Sequence, residues 1–435
     1  MAIPNRPEGT DPEARFTVAD PGKEWRRGHR IPVVPSFDGY RAYAILCVCL
    51  FHIFQVSGAF GAAGDSALGV LFWGILPRSL DVLFIVSGFV IYLPTVVRDG
   101  DFGGVSAFAV RRAARLFPAY YVTLLIALLL LGVVSSSPGL PGAGSITAHL
   151  LVLQTPTLLF VDNFQLGFGV VPPVWTLSVE IGFYVVLPLV AVWYFRHPLV
   201  GLVATAGIVL AWRELSEHVD AIAGVFGADV GPHAAHRFDL FHANQFPSWT
   251  LALAVGMTGA WAYVRLRDRF PRERLEKLAI RGTIVAGLVL AFEIYLAGHG
   301  AVHDVFPFEG LFARESLVVT FGYPLALGAV LLGFSLLPMR AQWPCAAPGI
   351  RWIGDISYAV YLIHFAVIFF ALHEFSLPHG GDVLAVLAWC ALVYPVSIAY
   401  AYLSARFLER PVRRRAQRFG RRAQAPAETA PARAG

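Results

Sequence analysis

Charged residues are scarce in this 435-residue chain, in which Asp, Glu, Lys and Arg together make up 14% of the sequence. Soluble domains carry about 25% charged residues, whereas 57% of the residues here are hydrophobic. Lysine is almost absent, since Lys23 and Lys277 are the only lysines among 34 basic residues. The composition excludes an ordinary soluble domain and predicts a protein that is embedded in a lipid bilayer.

Cysteine is also sparse, and its spacing excludes the usual cysteine sites. No CxxC pattern occurs, and the cysteines lie mostly in apolar runs, at Cys47, Cys49, Cys345 and Cys390. Neither a disulfide framework nor a zinc site is predicted. His233, His236 and His242 form a cluster with Asp239, but their H-x2-H spacing lacks a partner motif, so we interpret them as solvated loop residues. We therefore predict no metal site and no tightly bound cofactor.

Ten runs of mostly apolar residues approach the length that a helix needs to cross the hydrocarbon, roughly 17 to 25 residues. They lie at 37–56, 80–97, 116–134, 174–195, 199–212, 248–264, 282–297, 317–337, 356–372 and 383–403. We predict an all-α polytopic bundle of about ten transmembrane helices. The segment 146–160 is apolar but short, and we interpret it as an interfacial or re-entrant element.

The basic residues support this count, because Lys and Arg concentrate on the cytoplasmic side of membrane proteins. With a cytoplasmic N-terminus, 30 of the 34 basic residues fall in inner segments. The outer segments then hold Arg78, Arg213, Arg237 and Arg314. Both termini are predicted to be cytoplasmic, and no nucleic-acid partner is expected. The excess of Arg over Lys favours a high-GC bacterial source, and hence the bacterial cytoplasmic (inner) membrane.

Three regions follow from this topology. Residues 1–36 are hydrophilic, unlike a cleaved signal peptide, and are expected to form a cytoplasmic tail. Residues 37–410 form the membrane domain. Residues 411–435 are rich in Arg, Ala and Pro, and are expected to form a basic, disordered cytoplasmic tail.

Ionisable residues within apolar spans are expensive, and each is a candidate for function. Arg41 and His52 are 11 residues apart, which returns them to nearly the same helix face about 16 Å apart along the axis. A histidine can act as a general base near neutral pH, and a carboxylate could orient its ring. The candidate carboxylates are Asp81 and Glu180. The alternative interpretation is that Arg41 reaches the inner surface and that His52 is a packing residue.

Two further polar groups accompany these residues. Arg112 and Arg115 are i,i+3 neighbours where the third span begins, a position suited to an anionic cytosolic donor or to ordinary positive-inside flanking. Ser357, Tyr361 and His364 share one face of a later span, as a catalytic stripe or as a polar helix contact would.

At these positions the sequence resembles the acyltransferase-3 family of integral membrane acyltransferases, over 37–410. The motifs that carry the resemblance are FDGYRA at 37–42, FIVSGF at 84–89, the arginine pair at 112 and 115, WTLSVE at 175–180 and ISYAVYLIH at 356–364. Thr176 is the one change within WTLSVE, and it keeps a hydroxyl group.

The resemblance implies transfer of an acyl group, often acetyl, from cytosolic acyl-coenzyme A to a hydroxyl of a sugar, glycolipid or small metabolite. Arg41, Arg112 and Arg115 are then expected to bind the donor. His52 is expected to take the proton of the acceptor hydroxyl, supported by Glu180 or Asp81. The residues expected to support the site are Trp175, Ser178, Ser357, Tyr361 and His364.

Several alternatives remain open at this level. A covalent acyl-enzyme on His52 or Ser178 would replace direct transfer. Some relatives carry an extracellular hydrolase-like domain, but the tail here is short and basic, so no relay through such a domain is expected. A transporter or flippase of a lipid-linked glycan would also need buried charges, although no repeated halves are detectable. A membrane scaffold or sensor is the third class.

Overall fold

The computed structural model describes residues 34–64, 66–130, 132, 140–160, 171–227, 231–303 and 317–422. These residues are overwhelmingly helical, and none of them belongs to a β-strand. The predicted all-α fold is therefore confirmed.

The α-helices of the described residues are numbered here in chain order. They are α1 (Pro35–Ser57), α2 (Ala59–Ala63), α3 (Ala67–Ile75), α4 (Ser79–Val97), α5 (Val105–Leu129), α6 (Ala143–Leu150), α7 (Gln154–Thr157), α8 (Trp175–Arg196), α9 (Pro198–Glu217), α10 (Val219–Val225), α11 (Gly231–Phe241), α12 (Thr250–Arg269), α13 (Arg272–His303), α14 (Leu317–Ser335), α15 (Met339–Ala346), α16 (Pro348–Glu374), α17 (Val383–Ser404) and α18 (Arg410–Arg422). Single turns of 3₁₀-helix precede α8 and α12, and a π-helical turn, Ala405–Glu409, joins α17 to α18.

Eight helical segments of the described chain are long and apolar enough to cross a membrane, and a bent pair raises the number to nine. The bent pair is α14 and α15, which meet at 119°. The predicted span at 248–264 is helical, as α12, but it is not among the candidate segments. Its last turns carry Arg265, Arg267, Asp268 and Arg269, so its apolar part is short. The number of candidate spans is therefore slightly below the ten predicted.

The predicted interfacial segment at 146–160 consists of α6 and α7, which are too short to cross the hydrocarbon. Val152 forms the turn between them in a left-handed conformation, with φ 56°. The hydroxyl of Ser178 on α8 lies 3.4 Å from the carbonyl oxygen of Val152, which ties this turn to the bundle.

The helices that carry the predicted polar residues pack closely in the centre. α1 packs on α16, and α4 packs on α12. Both contacts need glycine, because a Cβ atom on Gly354 would lie 2.0 Å from the carbonyl oxygen of Asp38, and one on Gly256 would lie 2.0 Å from that of Ile85. Small residues let membrane helices approach in this way. The close contacts place the polar faces of α1 and α16 side by side.

The C-terminal segment differs from the expectation of disorder. Residues Arg410–Arg422 form α18, which packs against α5. Asp355 on α16 pairs with Arg410 at 2.8 Å and with Arg413 at 3.7 Å, so packing and ion pairs order these residues. Residues 423–435 lie outside the described chain.

Candidate active site

One cavity of about 90 Å³ collects most of the polar residues that the sequence singled out. Five helices line it: α1, α4, α5, α8 and α16. The polar lining residues are Arg41, Ser87, Arg112, Arg115, Thr176, Glu180, Ser357, Tyr358 and Tyr361. Apolar side chains such as Ile45 and Phe84 complete the wall.

The arginines form a positively charged end of this cavity, here called the arginine end (Arg41, Arg112 and Arg115). The guanidinium of Arg112 lies 5.6 Å from the ring centroid of Phe108 and 5.7 Å from that of Tyr184. Its Nε is buried and makes no hydrogen bond within the described chain. Arg41 lies 3.9 Å from Asp38, which is a loose pair. Both arginines therefore keep donors available for an anionic ligand.

Glu180 belongs to the same end of the site. The hydroxyl of Tyr184, one turn further along α8, donates a hydrogen bond to its carboxylate. The carboxylate lines the same cavity as Arg41. The sequence predicted Glu180 as a partner of His52 and not as a neighbour of the arginines. Packing of α8 against α5 and α16 brings it into their cavity instead.

Tyr361 lines the cavity and connects α16 to the start of α8 through its hydroxyl group. Its hydroxyl donates to the carbonyl oxygen of Pro173 and accepts from Thr176 at 2.8 Å. The hydroxyl of Ser357, one turn earlier on α16, donates a hydrogen bond to the carbonyl oxygen of Gly354 at 2.8 Å. The predicted stripe of Ser357 and Tyr361 thus faces the cavity.

His52 and His364 form a second part of the site, here called the histidine end (His52, Gln55 and His364). Their ring centroids are 5.3 Å apart. His364 is fully buried, and its Nδ1 donates to the carbonyl oxygen of Tyr361 at 2.6 Å. The Nδ1 of His52 lies 2.9 Å from Oε1 of Gln55. With Nδ1 as the donor in both rings, each Nε2 carries a lone pair, and that of His364 has no partner in the described chain.

The three predicted catalytic residues, His52, Glu180 and Asp81, thus lie in three different places. His52 does not line the cavity, and within the described chain neither Glu180 nor Asp81 hydrogen-bonds to its ring. Asp81 is buried and lies 3.4 Å from Arg78, three residues earlier on the same turn of chain. Gln55 occupies the position that we expected a carboxylate to take.

The remaining predicted residues have structural contacts. Trp175 is buried, with its ring centroid 5.7 Å from that of Trp249. Ser178 faces the turn at Val152, away from Thr176 and Glu180. Within the described residues no three His, Cys, Asp or Glu side chains form a group that could hold a metal ion. The four cysteines are free thiols.

Sequence reasoning missed Tyr184, Tyr358 and Gln55. Tyr184 follows Glu180 by four residues, and Gln55 follows His52 by three, so both partners were detectable as neighbours on a helix face. Tyr358 lines the cavity between Ser357 and Tyr361, and only the rotation of α16 decides that it faces inward.

Comparison with known proteins gives the family. Residues 34–404 match the acyltransferase-3 family, described as an acyltransferase domain. The peptidoglycan O-acetyltransferase OatA of Listeria monocytogenes is 25% identical over 397 residues, which are 88% of this chain and 56% of that protein. The acyltransferase MdmB of Streptomyces mycarofaciens is 36% identical over 173 residues, which are 38% of this chain and 40% of that protein. No solved structure matches the chain.

The chain spans little more than half the length of OatA. The match nevertheless covers every helix that lines the cavity. The family match and the apolar helices lead to one conclusion: this multi-pass integral membrane protein belongs to the acyltransferase-3 family.

Proposed function

We propose that the protein transfers an acyl group, in the first instance acetyl, from cytosolic acyl-coenzyme A to a hydroxyl group of a carbohydrate, glycolipid or small metabolite. The observation that carries this proposal is a cavity lined by three arginines and by Tyr361, whose ring centroid lies 5.7 Å from that of His364, the neighbour of His52. The membrane would be the bacterial cytoplasmic membrane, with the arginine end toward the cytosol.

The arginine end suits the anionic part of the donor. Coenzyme A carries phosphates, and planar guanidinium groups bind phosphate oxygens through paired hydrogen bonds. The unpartnered Nε of Arg112 supports this role, since a buried donor is costly when it is unsatisfied. Arg115 and Arg41 would add charge.

The histidine end suits proton transfer. Nε2 of His52 takes the proton of the acceptor hydroxyl while the hydroxyl oxygen bonds to the thioester carbonyl carbon. The tetrahedral intermediate then expels the coenzyme A thiolate, which receives the proton from the imidazolium. Gln55 holds the Nδ1–H of His52 and so keeps Nε2 as the base. The products are an ester and free coenzyme A.

The name of one relative bears on the class of acceptor. One relative is named a peptidoglycan O-acetyltransferase, which favours a sugar hydroxyl over a small metabolite. Ser178 faces away from the cavity, toward Val152, so a covalent acyl-serine at that position is disfavoured. An acyl group on His52 itself remains an alternative intermediate.

The test is thioester turnover by the purified protein in nanodiscs. Release of free coenzyme A from acetyl-coenzyme A, with a soluble oligosaccharide supplied as the hydroxyl acceptor, is compared for wild type, His52→Ala and His373→Ala. His373 is an exposed histidine near the end of α16, and it serves as the matched control. We expect loss of turnover by about a thousandfold in His52→Ala alone.

Each outcome has a meaning. Equal turnover in His52→Ala and wild type would remove His52 from the mechanism. If wild type neither released coenzyme A nor bound acetyl-coenzyme A, the enzymatic proposal would be wrong, and transport of a lipid-linked glycan would replace it. Trapping a stable acylated histidine would replace direct transfer with a two-step reaction.

A further inference from the structure

The carboxylate of Asp38, in the first turn of α1, lies between two arginines. Nε and Nη2 of Arg351 on α16 lie 3.4 Å and 3.3 Å from its Oδ2 atom. Nη1 of Arg41, three residues further along α1, lies 3.9 Å from its Oδ1 atom, which is too far for a hydrogen bond. The carboxylate is therefore bound to Arg351 by two hydrogen bonds and is only close to Arg41.

The two arginines differ in their relation to the cavity. Arg41 lines it, whereas neither Asp38 nor Arg351 does. The side chains of all three residues are partly exposed, by 18% for Arg41, 32% for Asp38 and 21% for Arg351. Solvent and a dissolved anion can therefore reach this group of charges. An anion that binds Arg41 has the carboxylate of Asp38 as its nearest competitor on α1.

We propose that Arg351 is a positioning residue for the acyl donor: by holding the carboxylate of Asp38, it keeps the guanidinium of Arg41 available to the donor's phosphate groups. The inference rests on the proposed acyl transfer. It deepens that function by naming a residue outside the cavity that sets the affinity for the donor. Arg351 acts through Asp38 and Arg41, and it does not touch the donor itself.

Close packing of α1 explains how Arg351 reaches Asp38. Arg351 and Gly354 are i,i+3 neighbours, so they share one face of α16. A Cβ atom on Gly354 would lie 2.0 Å from the carbonyl oxygen of Asp38, and one on Gly39 would lie 2.1 Å from that of Cys345. The backbone at the start of α1 is thus held between α15 and α16. This contact fixes Asp38 one turn of α16 away from Arg351, within reach of its guanidinium.

Loss of Arg351 would change the partner of Asp38. Asp38 and Arg41 have the i,i+3 spacing at which opposite charges pair on a helix. Without Arg351, rotation of the Asp38 side chain would bring its carboxylate into hydrogen bonds with Arg41. The carboxylate would then neutralise Arg41 and occupy the N–H groups that a phosphate needs. The effect of Arg351 on donor binding therefore requires Asp38, which neither a direct contact with the donor nor a role in helix packing would require.

The experiment measures binding of coenzyme A itself, without turnover. Coenzyme A is titrated by calorimetry into the full chain in nanodiscs, for wild type, Arg351→Gln, Asp38→Asn and the double variant. Arg410→Gln is the matched control, because Arg410 pairs with Asp355 on α16 at 2.8 Å and does not line the cavity. Melting curves are recorded on the same samples. KM and kcat for acetyl-coenzyme A are measured with a soluble oligosaccharide as acceptor.

We expect Arg351→Gln to weaken binding of coenzyme A roughly tenfold and to raise KM by the same factor, with kcat unchanged. Asp38→Asn should bind at least as tightly as wild type. The double variant should bind like Asp38→Asn, because the change at Arg351 has no effect once the carboxylate is gone. Arg351→Lys keeps a cation beside Asp38 and should retain most of the affinity. Arg410→Gln should bind like wild type.

Three results would overturn the role of Arg351. The first is wild-type affinity in Arg351→Gln. The second is a double variant that binds as weakly as Arg351→Gln, since Arg351 would then contact the donor or hold the helices together, and a lower melting temperature would identify the helix-packing role. The third is weaker binding in Asp38→Asn than in wild type, which decides the matter even if Arg351→Gln does not fold.

The two proposals fail separately. The expected pattern of coenzyme A binding, with no release of coenzyme A from acetyl-coenzyme A, would keep the role of Arg351 at an anion site and contradict acyl transfer. Turnover that depends on His52, with wild-type affinity in Arg351→Gln, would keep acyl transfer and contradict the role of Arg351. A wild type that does not bind coenzyme A would contradict both.

Discussion

The two ends of the candidate site differ in chemistry although one helix, α1, contributes to both. At the arginine end, Arg41, Arg112 and Arg115 line a cavity together with the carboxylate of Glu180. At the histidine end, the rings of His52 and His364 are held by an amide and a backbone carbonyl, and no charged side chain of the described chain contacts them. On α1 the two ends are about 16 Å apart.

Under the proposed function, this difference would separate binding of the donor from transfer of the acyl group. Cationic groups in a low-dielectric interior bind an anion strongly, but they would also oppose the protonated imidazolium that a neighbouring histidine base must form during transfer. A neutral, largely water-free histidine end keeps the imidazole as a free base and protects a thioester from hydrolysis. If the two ends have these separate roles, variants at the arginine end should change donor affinity, and variants at the histidine end should change the rate of transfer.

The strongest test of this separation is removal of two arginines. Arg112→Ala with Arg115→Ala should raise KM for acetyl-coenzyme A by about a hundredfold or more, because each charge-assisted hydrogen bond contributes ~1.5–3 kcal/mol. The wild-type KM should also rise with salt, and the variant should lose this dependence. Arg111→Ala is the control, since Arg111 does not line the cavity. An unchanged KM with a lower kcat would contradict donor binding at this end.

The two carboxylates that the sequence could not separate provide the second test. Glu180→Gln should lower turnover per folded molecule roughly tenfold, because Tyr184 and Arg41 lose a charged partner at the cavity. Asp81→Asn should leave turnover per folded molecule intact and lower the melting temperature by about 5 °C or more, because the half-buried Arg78 loses the charge of its buried partner. Melting curves and turnover are measured on the same samples. Loss of turnover in folded Asp81→Asn would return Asp81 to the catalytic residues.

Much of the fold was predictable because membrane helices depend on long apolar runs. Features of single helices were also predictable: the shared face of Arg41 and His52, and the stripe of Ser357, Tyr361 and His364. The pairing of Asp81 with Arg78 is local, at i,i+3, so it was also detectable from the sequence. We had instead interpreted Asp81 as a possible catalytic carboxylate.

Features that depend on lateral packing were not predictable. The packing of α8 against α1, α5 and α16 decides whether Glu180 lies near the arginines or near His52. The sequence of α8 alone does not predict this packing. The helix at Arg410–Arg422 has the composition of a disordered tail, and it is ordered by pairing with Asp355 on α16. The short α6 and α7 are similarly defined by contacts from Tyr120 and Gln245.

A third prediction tests the connection between the ends. Tyr361→Phe removes the hydroxyl that bonds Thr176 and the carbonyl of Pro173, and so loosens α16 against the start of α8. We expect kcat to fall by about fivefold to tenfold, with KM for the donor changed less. The control is Tyr394→Phe, whose hydroxyl joins α17 to the carbonyl of Leu46 outside the cavity. If KM rises and kcat is constant, Tyr361 belongs to the arginine end.

The smallest expected effect concerns Gln55, which positions the His52 ring without reaching a substrate. Gln55→Leu should lower kcat severalfold and leave the donor KM unchanged, because the Nδ1–H of His52 loses its acceptor and the ring can adopt the other tautomer or rotate. Gln55→Glu keeps an acceptor oxygen and should restore turnover. Its added charge should also favour the protonated imidazole, so its pH–rate profile should move to higher pH than that of wild type. If Gln55 has only a structural role, the yield of folded Gln55→Leu should fall, and the pH–rate profiles of both variants should match that of wild type. The packing of Phe51 and Phe365 would then orient the ring of His52.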